Sequence, residues 1–367
     1  MHILCSKTNL INAATLASRA VATRTTKPIL SCFLLEAQDD IFKFFANDLE
    51  LAIETNPIEA NIIESGSVLI DAKMFTDIVR RLPEDEVIIK AQENMVTYIK
   101  SGKADFKIIG QDPNEFTRPP DIEKLEPHTL PTKEFRNMIR QTIFSISTAE
   151  EKPTLTGGLI EIEEGYIKLV TVDNFRVSLR KEEIMDSEQN VSAIVPGKTL
   201  NELSRILPDE GMLKIYFDEK HVLFEIEQGI IVSRLIEGEF LRYKQVMKQD
   251  HKTSFTIQQK TLLDALERSV LVSTELKKIP VSFDIQKDTL IITSTAESGN
   301  LHEEIEISTQ GNTPLQISFN PKYFIDIVKA MDMEHIHLNF NTSLSPCIVE
   351  GESIDKYAYL ILPIRTG

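Results

Sequence analysis

The chain has 367 residues, enough for two or three domains at roughly 100–200 residues each; 42% are hydrophobic and 26% charged, the proportions of a folded chain and not of a disordered one. No run approaches the ~18 apolar residues of a membrane span, residues 1–10 lack the apolar stretch of a signal peptide, and Cys5, Cys32 and Cys347 show no Cys-x-x-Cys spacing, which argues against disulfides and zinc and for a reducing cytoplasm. The formal charge of −16 by itself disfavours nucleic acid, so what matters is how that charge is distributed.

In chain order, a strand-like opening leads into a helix-like run that starts at Lys7 and stops short of Pro28, and Ile29–Glu36 alternates as a strand. Asp39-Asp40 marks a hairpin turn. The next helix is Asp71-Ala-Lys-Met-Phe-Thr-Asp-Ile-Val-Arg-Arg-Leu-Pro83. At about 100° per residue, Phe75, Ile78, Val79 and Leu82 fall opposite Lys73 and Arg80, so one face is apolar and the other cationic. Further strands follow, and Pro119-Pro120 marks a linker within 118–124.

The same order then recurs. Lys133 opens a helix-like run ending near Pro153, Thr154–Glu161 alternates, Glu163–Gly165 turns, and Pro196-Gly-Lys-Thr-Leu-Asn-Glu-Leu-Ser-Arg-Ile-Leu-Pro208 repeats the helix. After a break near Lys248–His251 come a run from Lys260 to Pro280, the strand Val281–Ile285, the turn Lys287-Asp288 and Asn320-Pro-Lys-Tyr-Phe-Ile-Asp-Ile-Val-Lys-Ala-Met-Asp332. Lys73, Lys198 and Lys322 align at offsets of 125 and 124, as do Phe75, Leu200 and Phe324; Ile78, Leu203 and Ile327; and Arg80, Arg205 and Lys329. Two segments recurring three times in one order predict three homologous α+β domains at 1–120, 126–247 and 248–367. Each would carry two helices packed on antiparallel sheets.

Charge follows the repeat. The runs 7–24, 72–82, 132–148, 197–207, 259–274 and 321–331 hold fifteen basic and six acidic residues, a net +9 that leaves −25 for the rest. Arg24, Lys73, Arg80, Arg136, Arg140, Lys198, Arg205, Lys322 and Lys329 are therefore the candidate DNA contacts. A cationic helix face binds phosphates without reading bases. No recognition-helix pattern or aromatic stacking platform accompanies it, and the chain has no Trp.

Enzyme readings are weaker. Pro196-Gly-Lys-Thr199 looks like the end of a phosphate-binding loop, and a nucleotide-binding enzyme using Lys198 is the alternative function; but Ser192 stands where that motif needs glycine, and the repeat explains the lysine. His335-x-His337 shares a strand face without a further ligand spacing, which reads as a solvated face. No catalytic residue, metal or cofactor is expected.

Triplicated α+β domains with basic helices and an acidic remainder resemble the bacterial sliding clamps, the β subunits of DNA polymerase III. Lys27-Pro28-Ile29-Leu30, Thr171-Val-Asp-Asn-Phe-Arg-Val-Ser-Leu-Arg180, Glu237-Gly-Glu-Phe-Leu-Arg-Tyr243 and Leu362-Pro363-Ile364-Arg365 are similar to family segments in the same order. The resemblance implies a cytoplasmic, non-catalytic, ring-shaped homodimer that encircles double-stranded DNA and tethers the polymerase. Its partners would be the DNA polymerase III α subunit, the clamp loader and other clamp-motif proteins, with no membrane or cofactor.

The resemblance also implies a partner-peptide pocket at Leu155, Val172, Asn174, Phe175, Arg176, Val177, Leu241, Val246, Leu344, Leu362, Pro363, Ile364 and Arg365, an apolar groove with a cationic rim. Asn174, Phe175, Leu241 and Gln245 depart from the family pattern. Ring closure would set Phe106 and Ile108 against Leu271 and Val272 of another copy. Lys103 and Lys107, with Lys100, would face Glu297, Glu303 and Glu304, with Glu306.

Overall fold

The computed structural model describes residues 1–120, 122, 126–149, 151–184, 189–248, 250–272, 279–351 and 356–365. Helix α1 spans Lys7–Ala17, α2 Ala72–Arg80, α3 Thr132–Arg140, α4 Gly197–Ile206, α5 Tyr243–Met247, α6 Gln259–Ser269 and α7 Pro321–Ala330. Apart from the short α5, which the sequence pattern does not announce, the elements repeat three times: a strand, a helix, four or five strands, a helix, three strands.

The strand ladders are antiparallel. Hairpins close where backbone of positive φ is required: Asp39 and Asp40 at 48° and 61°, Glu164 and Gly165 at 53° and 77°.

The chain forms two compact units, Met1–Lys133 with Arg205–Leu235, and Glu134–Ser204 with Ile236–Gly367. The first holds a five-stranded sheet ending on Ala104–Ile109. It also holds an eight-stranded sheet that is continuous because Gly229–Arg234, from the second repeat, pairs with Leu51–Thr55, from the first, Ile231 opposite Ile53. The second unit holds a nine-stranded sheet made continuous in the same way. There Tyr357–Ile361 of the third repeat pairs with Arg176–Glu183 of the second, Leu360 opposite Val177. Its other sheet has four strands and ends on Gly299–Glu306. At both joints the last strand of one repeat meets the same kind of edge on its neighbour.

Helix burial follows the repeat. Phe75, Leu200 and Phe324 are fully buried, while Lys73, Lys198 and Lys322 are exposed. Phe75 meets Phe33 and Phe44 edge-on, with ring centroids 6.3 and 5.6 Å away, and Phe324 meets Phe283 and Phe319 at 5.2 and 4.9 Å. The helix starts are capped: Ser6, Asp71 and Asn320 accept backbone N–H bonds at α1, α2 and α7.

The helix ends correct the sequence reading. The runs of 7–24, 132–148 and 259–274 end as helices at Ala17, Arg140 and Ser269. Near each end a hydroxyl takes a carbonyl of the last turn: Ser18 to Ala14, Thr142 to Met138, Ser269 to Leu266. Pro28 and Pro153 instead open separate 3-10 turns, Pro28–Ser31 and Pro153–Thr156. Cys5, Cys32 and Cys347 are buried and free. Burial pushes the Cys5 and Cys32 thiols up to about 11 and the Cys347 thiol well above its ordinary value.

Candidate functional site

Most of the candidate DNA-contacting cations stand on the solvent faces of α2, α4 and α7. Lys73 and Arg80 on α2, Lys198 and Arg205 on α4, and Lys322 and Lys329 on α7 are exposed and seven residues apart, about two turns, so each pair shares a face. Arg136 on α3 is half-buried. Some of the charge is already engaged: Arg140 pairs with Asp332, and Lys329 with Glu267 at 2.7 Å. Arg24 is exposed but lies on a bend beyond α1, not on the helix expected for it. Lys7, counted among the helix cations, donates its Nζ to the Leu82 carbonyl at 2.7 Å and so ties α1 to the end of α2.

All the expected groove residues fall in the second unit. Leu155, Val172 and Val177 are buried in one apolar cluster with Phe240, Tyr243, Ile348 and Leu360, and Val246 packs against it half-buried. Around them stand large apolar side chains that water reaches: Phe175, Leu241, Leu344, Leu362 and Ile364, with exposures of 50, 42, 66, 37 and 38%. Asn174 and Arg365 are exposed and Pro363 half-buried. The tail is tied by backbone bonds beyond the last strand, Leu362 N–H to the Phe175 carbonyl at 2.8 Å and Ile364 N–H to the Ser318 carbonyl at 2.7 Å. Leu344 stands on the turn between His335–Phe340 and Cys347–Gly351, a hairpin that joins the cluster through Ile348.

Arg176 does not supply the cationic rim expected of it. It is 7% exposed. Its Nε donates to Asp173 at 2.8 Å and its Nη1 to Asp326 at 2.7 Å, while Nη2 donates to the Phe144 carbonyl. The guanidinium also lies over Tyr323, 4.4 Å from the ring centroid, and Tyr323 stacks on Phe175 at 5.7 Å. Arg176 is therefore an internal anchor for Phe175, and Arg365 is the exposed cation at this end of the groove. Tyr323 is the neighbour the sequence reading misses. Its signal was its place in the repeat, where Met74 and Thr199 are not aromatic.

At the sheet ends, Phe106 is 37% exposed on Ala104–Ile109, and Leu271 is 78% exposed just beyond α6. Lys103 and Lys107 are exposed and Val272 half-buried. Two expectations change. Ile108 is only 8% exposed and belongs to its own domain's core; the strand's alternation puts Ile109, at 83%, on the outer side instead. Glu303 is paired with Arg268 of the same chain at 2.5 Å, and Glu304 contacts His302 at 3.1 Å.

The triplicated architecture has counterparts among known proteins. Family models of the DNA polymerase III β subunit match throughout: the N-terminal domain at residues 1–120, the central domain at 129–241 and the C-terminal domain at 244–365. The chain belongs to the DNA polymerase III β-subunit family. It is 35% identical to the β sliding clamp of Halalkalibacterium halodurans and 32% to that of Bacillus subtilis, over the full length of each chain. Among solved structures, a putative DNA polymerase III β subunit from Eubacterium rectale superposes with a TM-score of 0.97 at 37% identity, and the B. subtilis sliding clamp with 0.97 at 32%, both over whole chains.

As a sliding clamp the protein is a non-catalytic DNA processivity factor, and the nucleotide-enzyme alternative receives no support. The clamp needs Gly197 for packing: a Cβ there would stand 2.8 Å from the Thr156 carbonyl oxygen and 3.1 Å from Ile146. His337 Nδ1 lies 2.7 Å from Thr256 Oγ1, and no group of three or more His, Cys, Asp or Glu set to share a metal occurs among the described residues.

Proposed function

We propose that two copies of this clamp close head to tail around duplex DNA, with the cationic helix faces turned to the phosphates and the groove of the second unit open to extended hydrophobic peptides. The domains would span 1–120, 126–247 and 248–367. The observation that carries this reading is an unmatched pair of sheet ends. Each joint between repeats sets the last strand of one repeat against a neighbour's edge, Gly229–Arg234 on Leu51–Thr55 and Tyr357–Ile361 on Arg176–Glu183. The same two kinds of edge remain at Ala104–Ile109 of the first repeat and Gly299–Glu306 of the third. A contact that uses them between copies is heterologous and, made twice, closes. Lys103, Lys107, Phe106 and Ile109 would meet Leu271, Val272, Glu297 and Glu304 there.

The helix lysines serve as exchangeable phosphate contacts, so DNA is held by closure rather than by affinity. Phe175, Leu241, Leu344, Leu362 and Ile364, with Arg365 beside them, suit the anchors of peptides from the polymerase α subunit and the clamp loader in the cytoplasm. The test is charge reversal at the three equivalent positions, Lys73→Glu, Lys198→Glu and Lys322→Glu together. Retention on circular DNA should fall alike for unrelated sequences, and the salt slope should drop by about 0.9 per contact removed, while sedimentation still reports a dimer. Normal retention of the triple variant would refute the assignment of these faces.

A further inference from the structure

The groove's Leu241 and Val246 lie on a segment with little internal support. Helix α5 has five residues, far below the ~12 at which a helix holds itself in water, and its N-cap Arg242 makes no capping bond. Before it, Ile236 is fixed by its N–H to the Ile194 carbonyl at 2.9 Å, and Gly238 adopts φ 130° beside Thr154. The next anchors are Phe240, buried in the apolar cluster, and Tyr243. The Tyr243 ring is buried in the same cluster and its hydroxyl donates to Glu161 Oε2 at 2.5 Å. Lys244 adds contacts to Glu161 at 3.3 Å and Glu163 at 3.2 Å, and Lys168 holds Glu163 in turn. Burial and the Glu161 carboxylate push the Tyr243 phenol above its ordinary value, so it remains a donor across the working pH range.

We infer that the Tyr243–Glu161 hydrogen bond is a latch that positions the 237–247 segment, and through it Leu241 and Val246, for peptide docking. Tyr243 is thus a positioning residue, its hydroxyl bound to Glu161 on the strand Gly157–Glu163. The inference rests on the reading of the groove as a peptide site. The physical reason is directional. Apolar packing of Phe240, Tyr243, Val246 and Met247 holds the segment against the strands but has no fixed direction, whereas a short bond to a strand residue fixes its register. A groove wall that need not be ordered on binding saves the peptide that entropic cost.

Tyr243→Phe keeps the ring and removes the donor. Glu161→Leu removes the acceptor, and Glu161→Gln keeps an acceptor oxygen. Two readouts separate the latch from the groove reading: hydrogen exchange of the 237–247 amides in the peptide-free dimer, and the affinity of an extended fluorescent peptide with Leu and Phe anchors. Tyr243→Phe and Glu161→Leu should each speed exchange in this segment about tenfold, and the double variant no further. Both should weaken the peptide about five- to tenfold, mainly through faster release, while Glu161→Gln stays near wild type in both. Unchanged exchange in Tyr243→Phe, or a Glu161→Gln variant as loose as Glu161→Leu, overturns the latch. Faster exchange with no peptide bound even by the wild type upholds the latch as a segment anchor and overturns the groove reading.

Discussion

Arg176 ties together residues from the second and third repeats beside Phe175. A guanidinium at 7% exposure has given up its hydration and is compensated by Asp173, Asp326 and the Phe144 carbonyl. Arg176→Ala leaves the carboxylates facing one another without a cation, and breaking a buried pair costs about 3–5 kcal/mol. The expected result is a clear fall in the urea midpoint and loss of peptide binding as Phe175 loses its support. Arg176→Lys should recover only part of each, because an ammonium cannot span all three acceptors from one plane. A variant with the wild-type midpoint would show that the network is incidental. In sequence the resemblance places Arg176 in the expected groove, but nothing there marks it as buried. Asp173 is three residues away, yet Asp326 and Tyr323 come from the third repeat, and no local pattern announces a contact across 150 residues.

At the scale of elements, the period-3.6 stripes and their threefold recurrence gave the paired helices and the faces they bury, since Phe75, Leu200 and Phe324 are determined by amphipathicity alone. Helix ends were harder. The prolines suggest stops, whereas hydroxyl-to-carbonyl bonds at Ser18, Thr142 and Ser269 accompany ends that fall more than ten residues earlier, leaving Arg24 off its helix. The C-terminal element shows the same limit. Its last strand stops at Ile361, and residues 362–365 run on beyond it, tied by single backbone bonds from Leu362 to Phe175 and from Ile364 to Ser318. Removing 362–367 should therefore keep the circular dichroism spectrum, the thermal transition and the dimer, while abolishing binding of a Leu- and Phe-anchored peptide. A truncated protein that melts far below the parent would instead make the tail part of the third domain's core.

For the whole molecule, the proposed closure would rest on two short sheet ends, so few side chains would carry it. Phe106→Ala with Leu271→Ala removes two large apolar groups from each contact, and at about 2 kcal/mol or more each for central interface residues each of the two contacts should weaken roughly a thousandfold, so the dimer dissociation constant should rise by more than that. Sedimentation at micromolar concentration should then find monomer; an intact dimer would move the contact elsewhere. The burial of Cys5, Cys32 and Cys347, with every thiol held protonated well above neutrality, has a use here. The native chain should therefore react slowly with maleimides and other thiolate-seeking labels. One cysteine installed at Ile109, 83% exposed in the single chain, would be covered wherever the proposed contact closes, so its rate of labelling would report opening without any of the natural thiols having to be removed.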